Sequence, residues 1–180
     1  MTSKELQQYL LREFPQENAR CEWKEMKNLK NSFAGDEKDD VISYVSAIAN
    51  MEGGHLVIGV QDKTLEIVGT DLYKFNLNAQ SAVLKLVEHC TNLSSEGLSI
   101  DEYTTEDTHK TVWIIHIPKH LPRRPVYAHK KAWQRIEDSL VEMTPERLAA
   151  ILEEPVFAAK DWSAEIVPNA TIADLDELAI

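Results

Sequence analysis

Apolar positions change their period several times along this chain, and each change marks an element. Over residues 3–13, Leu6, Leu10 and Leu11 fall on one face at helical spacing and Pro15 stops the pattern, which predicts a short amphipathic helix. From Cys21 to Met26 the period drops to two, with Cys21 and Trp23 on one side and Glu22 and Lys24 on the other, as in a half-buried strand. Asn28 to Gly35 reads as a loop. Asp36 or Asp39 is placed to cap a helix carrying Val41, Ile42, Val45, Ile48 and Ala49. Gly53-Gly54 ends that helix, because glycine accepts the left-handed conformation favoured at helix C-termini. His55 to Val60 is a short apolar run of the kind a central strand shows, and Asp62-Lys63-Thr64 turns it into a second strand over Leu65 to Val68.

Helical spacing returns from Asn78 to Cys90, with Val83, Leu84, Val87 and Cys90 as the apolar stripe. Leu98 to Tyr103 and Thr111 to Ile117 alternate on either side of an acidic turn and predict a hairpin. Val126 to His129 and Trp133 to Ile136 predict a last strand pair hinged at Lys130-Lys131. Thr144, with Pro145 at the first helical position, opens a helix running to about Glu153. These elements predict an α/β (α+β) fold: a mixed, largely antiparallel sheet flanked by helices, in one domain over residues 1–153. Residues 154–180 read as an acid-rich linker or tail. Their renewed apolar spacing at Thr171, Ile172, Leu175 and Leu178 predicts continuation into a further C-terminal region.

Composition narrows the function. A formal net charge of −11 argues against indiscriminate attraction of the whole surface to nucleic acid or acidic membrane. No stretch approaches the roughly 18 apolar residues that cross a bilayer, and the N-terminus lacks a secretory pattern, so no membrane partner is expected. Cys21 and Cys90 are the two cysteines, and neither has a second Cys or a His at metal-finger spacing. No zinc site or disulfide framework is expected, and the setting is read as cytoplasmic. Charge is unevenly spread: Lys119, Arg123, Arg124, Lys130, Lys131 and Arg135 lie in a segment with no acid, which is either a polyanion contact or a salt-bridged face.

Phosphate-cradling glycine loops, nucleophile elbows and paired zinc-binding histidines are absent from the sequence. The carboxylates remain. Glu17 precedes the first strand, Glu22 lies on it, and Asp62 sits at the tip of another. If those strands are neighbours, three acids converge on a hard divalent cation, which takes oxygen ligands and activates water for attack on a phosphodiester. The plainer reading makes Glu22 a solvated strand face and Asp62 a turn residue.

Three segments carry a resemblance to a known family. They are Glu17-Asn18-x-x-x-Glu22-Trp23-Lys24; Ser46-Ala47-Ile48-Ala49-Asn50-x-x-Gly53-Gly54-x-Leu56-x-Ile58-Gly59-Val60-x-Asp62; and Ile67-Val68-Gly69. Together they resemble the Schlafen AlbA domain, over roughly residues 15–153, and Arg135-Ile136-x-x-Ser139 followed by the helix at Thr144 is similar to that family's end. Trp23 and Gln61 depart from its usual Phe and Asp, and neither change touches the three acids.

The resemblance implies a nucleic-acid-binding domain. It implies a divalent-metal-dependent endoribonuclease site at Glu17, Glu22 and Asp62, acting on tRNA-like structured RNA with Mg²⁺ or Mn²⁺. Lys24 would hold a phosphate, and Lys119, Arg123, Arg124, Lys130, Lys131 and Arg135 would line the groove. The family's animal members carry a Cys/His zinc site that this chain lacks, and they join two lobes in a U, so a homodimer is expected to rebuild the groove here. The alternatives are a non-catalytic DNA- or RNA-binding module of a larger transcriptional regulator or helicase-like protein, and a protein-interaction domain using the acidic face.

Overall fold

The computed structural model describes residues 1–15, 17–29, 33, 40–70 and 77–156. Helix α1 spans Ser3–Glu13. The hydroxyl of Thr2 accepts from the Glu5 N–H while Glu5 reaches back to the Thr2 N–H, a reciprocal cap that satisfies two otherwise orphaned donors. Its buried face is Leu6 and Leu10, continued by Phe14. Leu11 was expected there but sits about 100° further round and is exposed.

Strands β1 (Cys21–Lys24), β2 (Gly54–Ile58), β4 (Ser99–Thr104) and β5 (Thr111–Ile117) form one sheet in the order β1-β2-β5-β4. The β1–β2 pair is parallel, in register Glu22↔Leu56 and Lys24↔Ile58, and the other pairs are antiparallel. β3 (Cys90–Thr91), β6 (Tyr127–Ala128), β7 (Lys131–Ile136) and β8 (Ser139–Glu142) form a second, antiparallel sheet. The mixed, largely antiparallel α+β fold expected from the sequence is therefore the fold found.

Helix α2 (Val41–Met51) lies between the sheets, against β2 on one side and β7 on the other. Every residue from Val41 to Asn50 is buried, as befits a helix that is covered all round. Its cap is Asp40, whose carboxylate accepts from the Ser43 N–H at 2.7 Å. The caps expected at Asp36 or Asp39 lie outside the described residues, as does most of the 28–35 loop. A larger core, including Leu56, Ile58, Trp113, Ile115 and Trp133, fills the space around α2, and a smaller one packs α1 onto the outer face of the first sheet. Residues Cys21, Trp23 and Val57 face α1, so Glu22 and Lys24 face inward, toward α2.

Other elements depart from expectation for local reasons. Leu65 to Val68 forms no strand, because Lys63 and Leu65 adopt left-handed backbone (φ 74° and 54°) and only an isolated bridge, Val60 to Ile67, survives. In α3 (Ala79–His89) the buried positions are Ala82 and Leu86, whereas Leu84 and Val87, placed in the apolar stripe, are exposed. The β6–β7 turn uses His129 and Lys130, both left-handed, one residue earlier than expected. Strand β8 was not anticipated. Helix α4 (Pro145–Leu152) begins at the Thr144 cap as expected. The expected 154–180 tail lies outside the described residues beyond Val156.

Candidate functional site

The end of β1, the loop after β2 and the end of β7 meet beside α2, and four charged side chains come together there. Glu22 is 1% exposed. Its Oε1 is in contact with the ammonium of Lys24, two residues on and therefore on the same face of β1, and its Oε2 with Nη2 of Arg135. The same Lys24 ammonium lies 3.6 Å from Oδ2 of Asp62. Asp62 Oδ1 accepts a hydrogen bond from the Glu25 N–H at 3.3 Å, which ties the loop after β2 to the strand beside it. Two anions and two cations thus close a neutral chain, Arg135–Glu22–Lys24–Asp62.

The ring of Tyr44, on α2, lies against both cations, with Lys24 Nζ 5.4 Å and Arg135 Cζ 5.7 Å from its centroid. Burial pushes the Glu22 carboxyl up, against the opposing pull of Lys24 and Arg135. Lys24 is also raised: desolvation alone would lower it, and the hydrogen bond and charge of Glu22 outweigh that. The two shifts point to opposite charge states of one pair. The ionised pair is the state the geometry supports, since two cations touch the carboxylate and neither would be neutralised by its loss. Among the described residues, buried Arg135 finds no hydrogen-bond partner for Nε and Nη1.

Glu17 stands apart from this chain. It is half-buried and accepts from the Trp23 N–H at 3.3 Å, covering a donor on the outer edge of β1, where no strand among the described residues pairs. The structure therefore brings Glu22 and Asp62 to one ammonium and places Glu17 at the strand edge beside them. Glu22, whose plainer reading was a solvated face, is buried. Among the described residues no three His, Cys, Asp or Glu side chains come together as a set able to hold a metal. The donor types suit Mg²⁺ or Mn²⁺, but as arranged the oxygens such an ion would take are in contact with Lys24 and Arg135. The residues do not fit a resident divalent ion in this arrangement.

The basic segment divides. Arg135 is buried with Glu22; Lys119 pairs with Glu52 at 3.0 Å and with Glu154 at 3.2 Å; Lys131 pairs with Glu142 at 3.6 Å. Arg123, which is exposed, donates through Nε to the Glu154 carbonyl at 2.8 Å. Arg124 and Lys130 are exposed, and among the described residues neither has an acidic partner. His120 and His129 are internal fasteners. His120 links the Ala49 carbonyl to Glu154, and His129 lies 2.7 Å from the buried carboxylate of Asp40.

Several family-motif residues hold the frame. The side chain of Asn50 donates to the carbonyls of Val126 and Trp133 and accepts from the Val126 N–H at 2.7 Å, and Ser46 donates to the same Val126 carbonyl. These bonds attach α2 to the second sheet. Arg147 donates to the carbonyls of Asn50 and Met51 at 2.6 and 2.7 Å, satisfying acceptors that a helix end leaves open. Gly53 is left-handed (φ 69°), and a Cβ there would lie 2.6 Å from the Ile117 carbonyl. A Cβ on Gly54 would overlap the Arg20 carbonyl. Sequence reasoning missed Tyr44, Arg147 and Glu154. Tyr44 follows Val41 at helical spacing but carries no signal of its role, and neither Arg147 nor Glu154 stands in a chemical motif.

The family profile described as Schlafen, AlbA_2 matches residues 17–144. Among solved structures the chain is similar to the DIP2311 protein of Corynebacterium diphtheriae, at 18% identity and a TM-score of 0.47, over 69% of this chain and 25% of that one. It is also similar to the N-terminal domain of a RecG-related protein from Nitrosomonas europaea, at 20% identity and a TM-score of 0.39, over 71% of this chain and 80% of that one. No curated protein matches it. The chain spans a quarter of the length of the first of these structures. No helix among the described residues is long and apolar enough to cross a membrane.

Proposed function

The chain belongs to the Schlafen AlbA_2 family, and on that footing we propose that it is a nucleic-acid-binding domain whose phosphate contacts are Arg123, Arg124 and Lys130, aided by Lys119 and Lys131. Family membership over residues 17–144 carries the reading. The placement of the cations supports it. Contacts of His129 with Asp40 and of His120 with Ala49 put Lys130 and the Arg123-Arg124 turn near opposite ends of α2, at anchor points about 14 Å apart along the helix. That distance accommodates several successive phosphates of a strand. Structured, tRNA-like RNA is the leading ligand and DNA the other.

The test is binding of fluorescent tRNA-like RNA and of duplex DNA across a salt series. Each phosphate contact to a single strand contributes about −0.7 to the log–log slope, so Arg123→Ala/Arg124→Ala flattens it by roughly one to two units for all sequences alike. A double variant with the parent's affinity and slope would place the ligand elsewhere. The second reading, an endoribonuclease using Glu17, Glu22 and Asp62, rests on the proximity of Glu22 and Asp62 and requires Lys24 to be displaced from between them. Mn²⁺- or Mg²⁺-dependent cleavage that Asp62→Asn abolishes would establish it. The homodimer expected from the two-lobed relatives belongs to the same proposal.

A further inference from the structure

We infer that Lys24 is the resident cation of the acid cluster, so that its ammonium and a divalent metal ion compete for the same oxygens and the folded domain, free of nucleic acid, leaves the metal out. The contacts are specific by atom. Lys24 touches Oε1 of Glu22 and lies 3.6 Å from Oδ2 of Asp62, while Arg135 takes the other oxygen of Glu22. A hard divalent ion must bind such oxygens at about 2.0–2.6 Å, which is the space the ammonium fills. Both cations cannot be held at once.

Charge balance points the same way. Glu22 and Asp62 are already neutralised by Lys24 and Arg135, so a metal ion entering with Lys24 in place would add two uncompensated positive charges to a site that is almost dry at Glu22. The lysine is delivered by covalent structure. Two residues after Glu22 on one strand it shares that residue's face, its side chain is 15% exposed, and the Tyr44 ring stabilises its head. Withdrawal of Lys24 frees Glu22 Oε1 and Asp62 Oδ2 together, while Arg135 keeps Glu22 Oε2. Lys24 therefore decides whether these two acids form an internal ion chain or a pair of metal ligands.

The experiment is a Mn²⁺ titration, followed by electron paramagnetic resonance and calorimetry on the isolated chain with no nucleic acid present. The expected result is no saturable binding by the parent up to about 1 mM, the weak end of protein oxygen sites. Lys24→Ala gains a saturable site at least about tenfold tighter, which Asp62→Asn added to Lys24→Ala removes. Lys24→Met preserves the buried stem and provides the same comparison should the alanine variant not fold. Saturable binding by the parent well below 1 mM that Asp62→Asn removes would overturn the inference. So would equal affinity in the parent and the lysine variants. The inference concerns the site of the second reading above, but its failure is separable from that of nucleic-acid binding: metal affinity is read without nucleic acid, and RNA or DNA binding by the parent is expected to survive chelator.

Discussion

At the scale of single residues, the decisive fact is how completely the charges on Glu22, Lys24 and Arg135 depend on one another. A buried ion pair adds little over an apolar replacement, but removing one partner leaves an uncompensated charge and costs about 3–5 kcal/mol. Glu22→Gln is expected to destabilise the fold by an amount in that range, read as a lower urea midpoint with an unchanged slope. A loss under about 1 kcal/mol would mean that water reaches Arg135. The two thiols make a second residue-scale prediction. Burial raises Cys21 to about 11 and Cys90 to about 12. Both stay protonated and slow to alkylate at neutral pH. The unfolded chain ionises them from about pH 9. It therefore loses protons first, and folding stability declines as pH rises past 9 toward those folded values. Cys21→Ser/Cys90→Ser should flatten the alkaline limb of a denaturation series.

At the scale of elements, the domain turns on how α2 is held. Its N-terminus is capped by Asp40, itself bonded to His129. Its middle is attached through Ser46 and Asn50 to the backbone around Val126, and its C-terminal carbonyls are closed by Arg147 from α4. The last contact is long-range and charge-assisted. Arg147→Ala leaves the Asn50 and Met51 carbonyls without these donors, and a loss of about 1.5–3 kcal/mol is expected. Hydrogen exchange should localise the effect to the last turn of α2 and to α4, and uniform loosening would contradict the assignment. Thr144 and Pro145 made the start of α4 readable from local chemistry, and Gly53-Gly54 did the same for the end of α2. The partner that closes α2 was not readable, because position 147 is an ordinary helical arginine until the fold brings it there.

At the scale of the whole molecule, two short sheets surround a buried helix among the described residues, with exposed cations toward both ends of that helix. The homodimer proposal is tested by sedimentation equilibrium at tens of micromolar, where a mass near twice 20.5 kDa is expected. A monomer at that concentration would remove the two-lobed groove and leave each domain to bind on its own. Dimerisation is also expected to steepen the salt dependence, since two copies then contribute contacts to one ligand.

Local physics carried much of this protein. Period two or 3.6, with caps and breakers at the ends, located the four α-helices of the described residues and the strands from β1 to β7 except the two-residue β3, because those signals depend on neighbours within a turn or a pleat. The family motif marked Glu17, Glu22 and Asp62 as one set, and of these the structure brings Glu22 and Asp62 to a single ammonium. Three outcomes depended on distant parts of the chain. The parallel register of β1 with β2 set Lys24 between the two acids, and the approach of β7 buried Arg135 against Glu22. The packing of α4 and the loop before β6 tied Lys119 to Glu52 and Glu154 and Arg123 to the Glu154 carbonyl. Charge counting along the chain left polyanion contact and salt-bridged face equally open. The partners that divide them, Glu52, Glu142 and Glu154, are assigned only when the sheets close around α2.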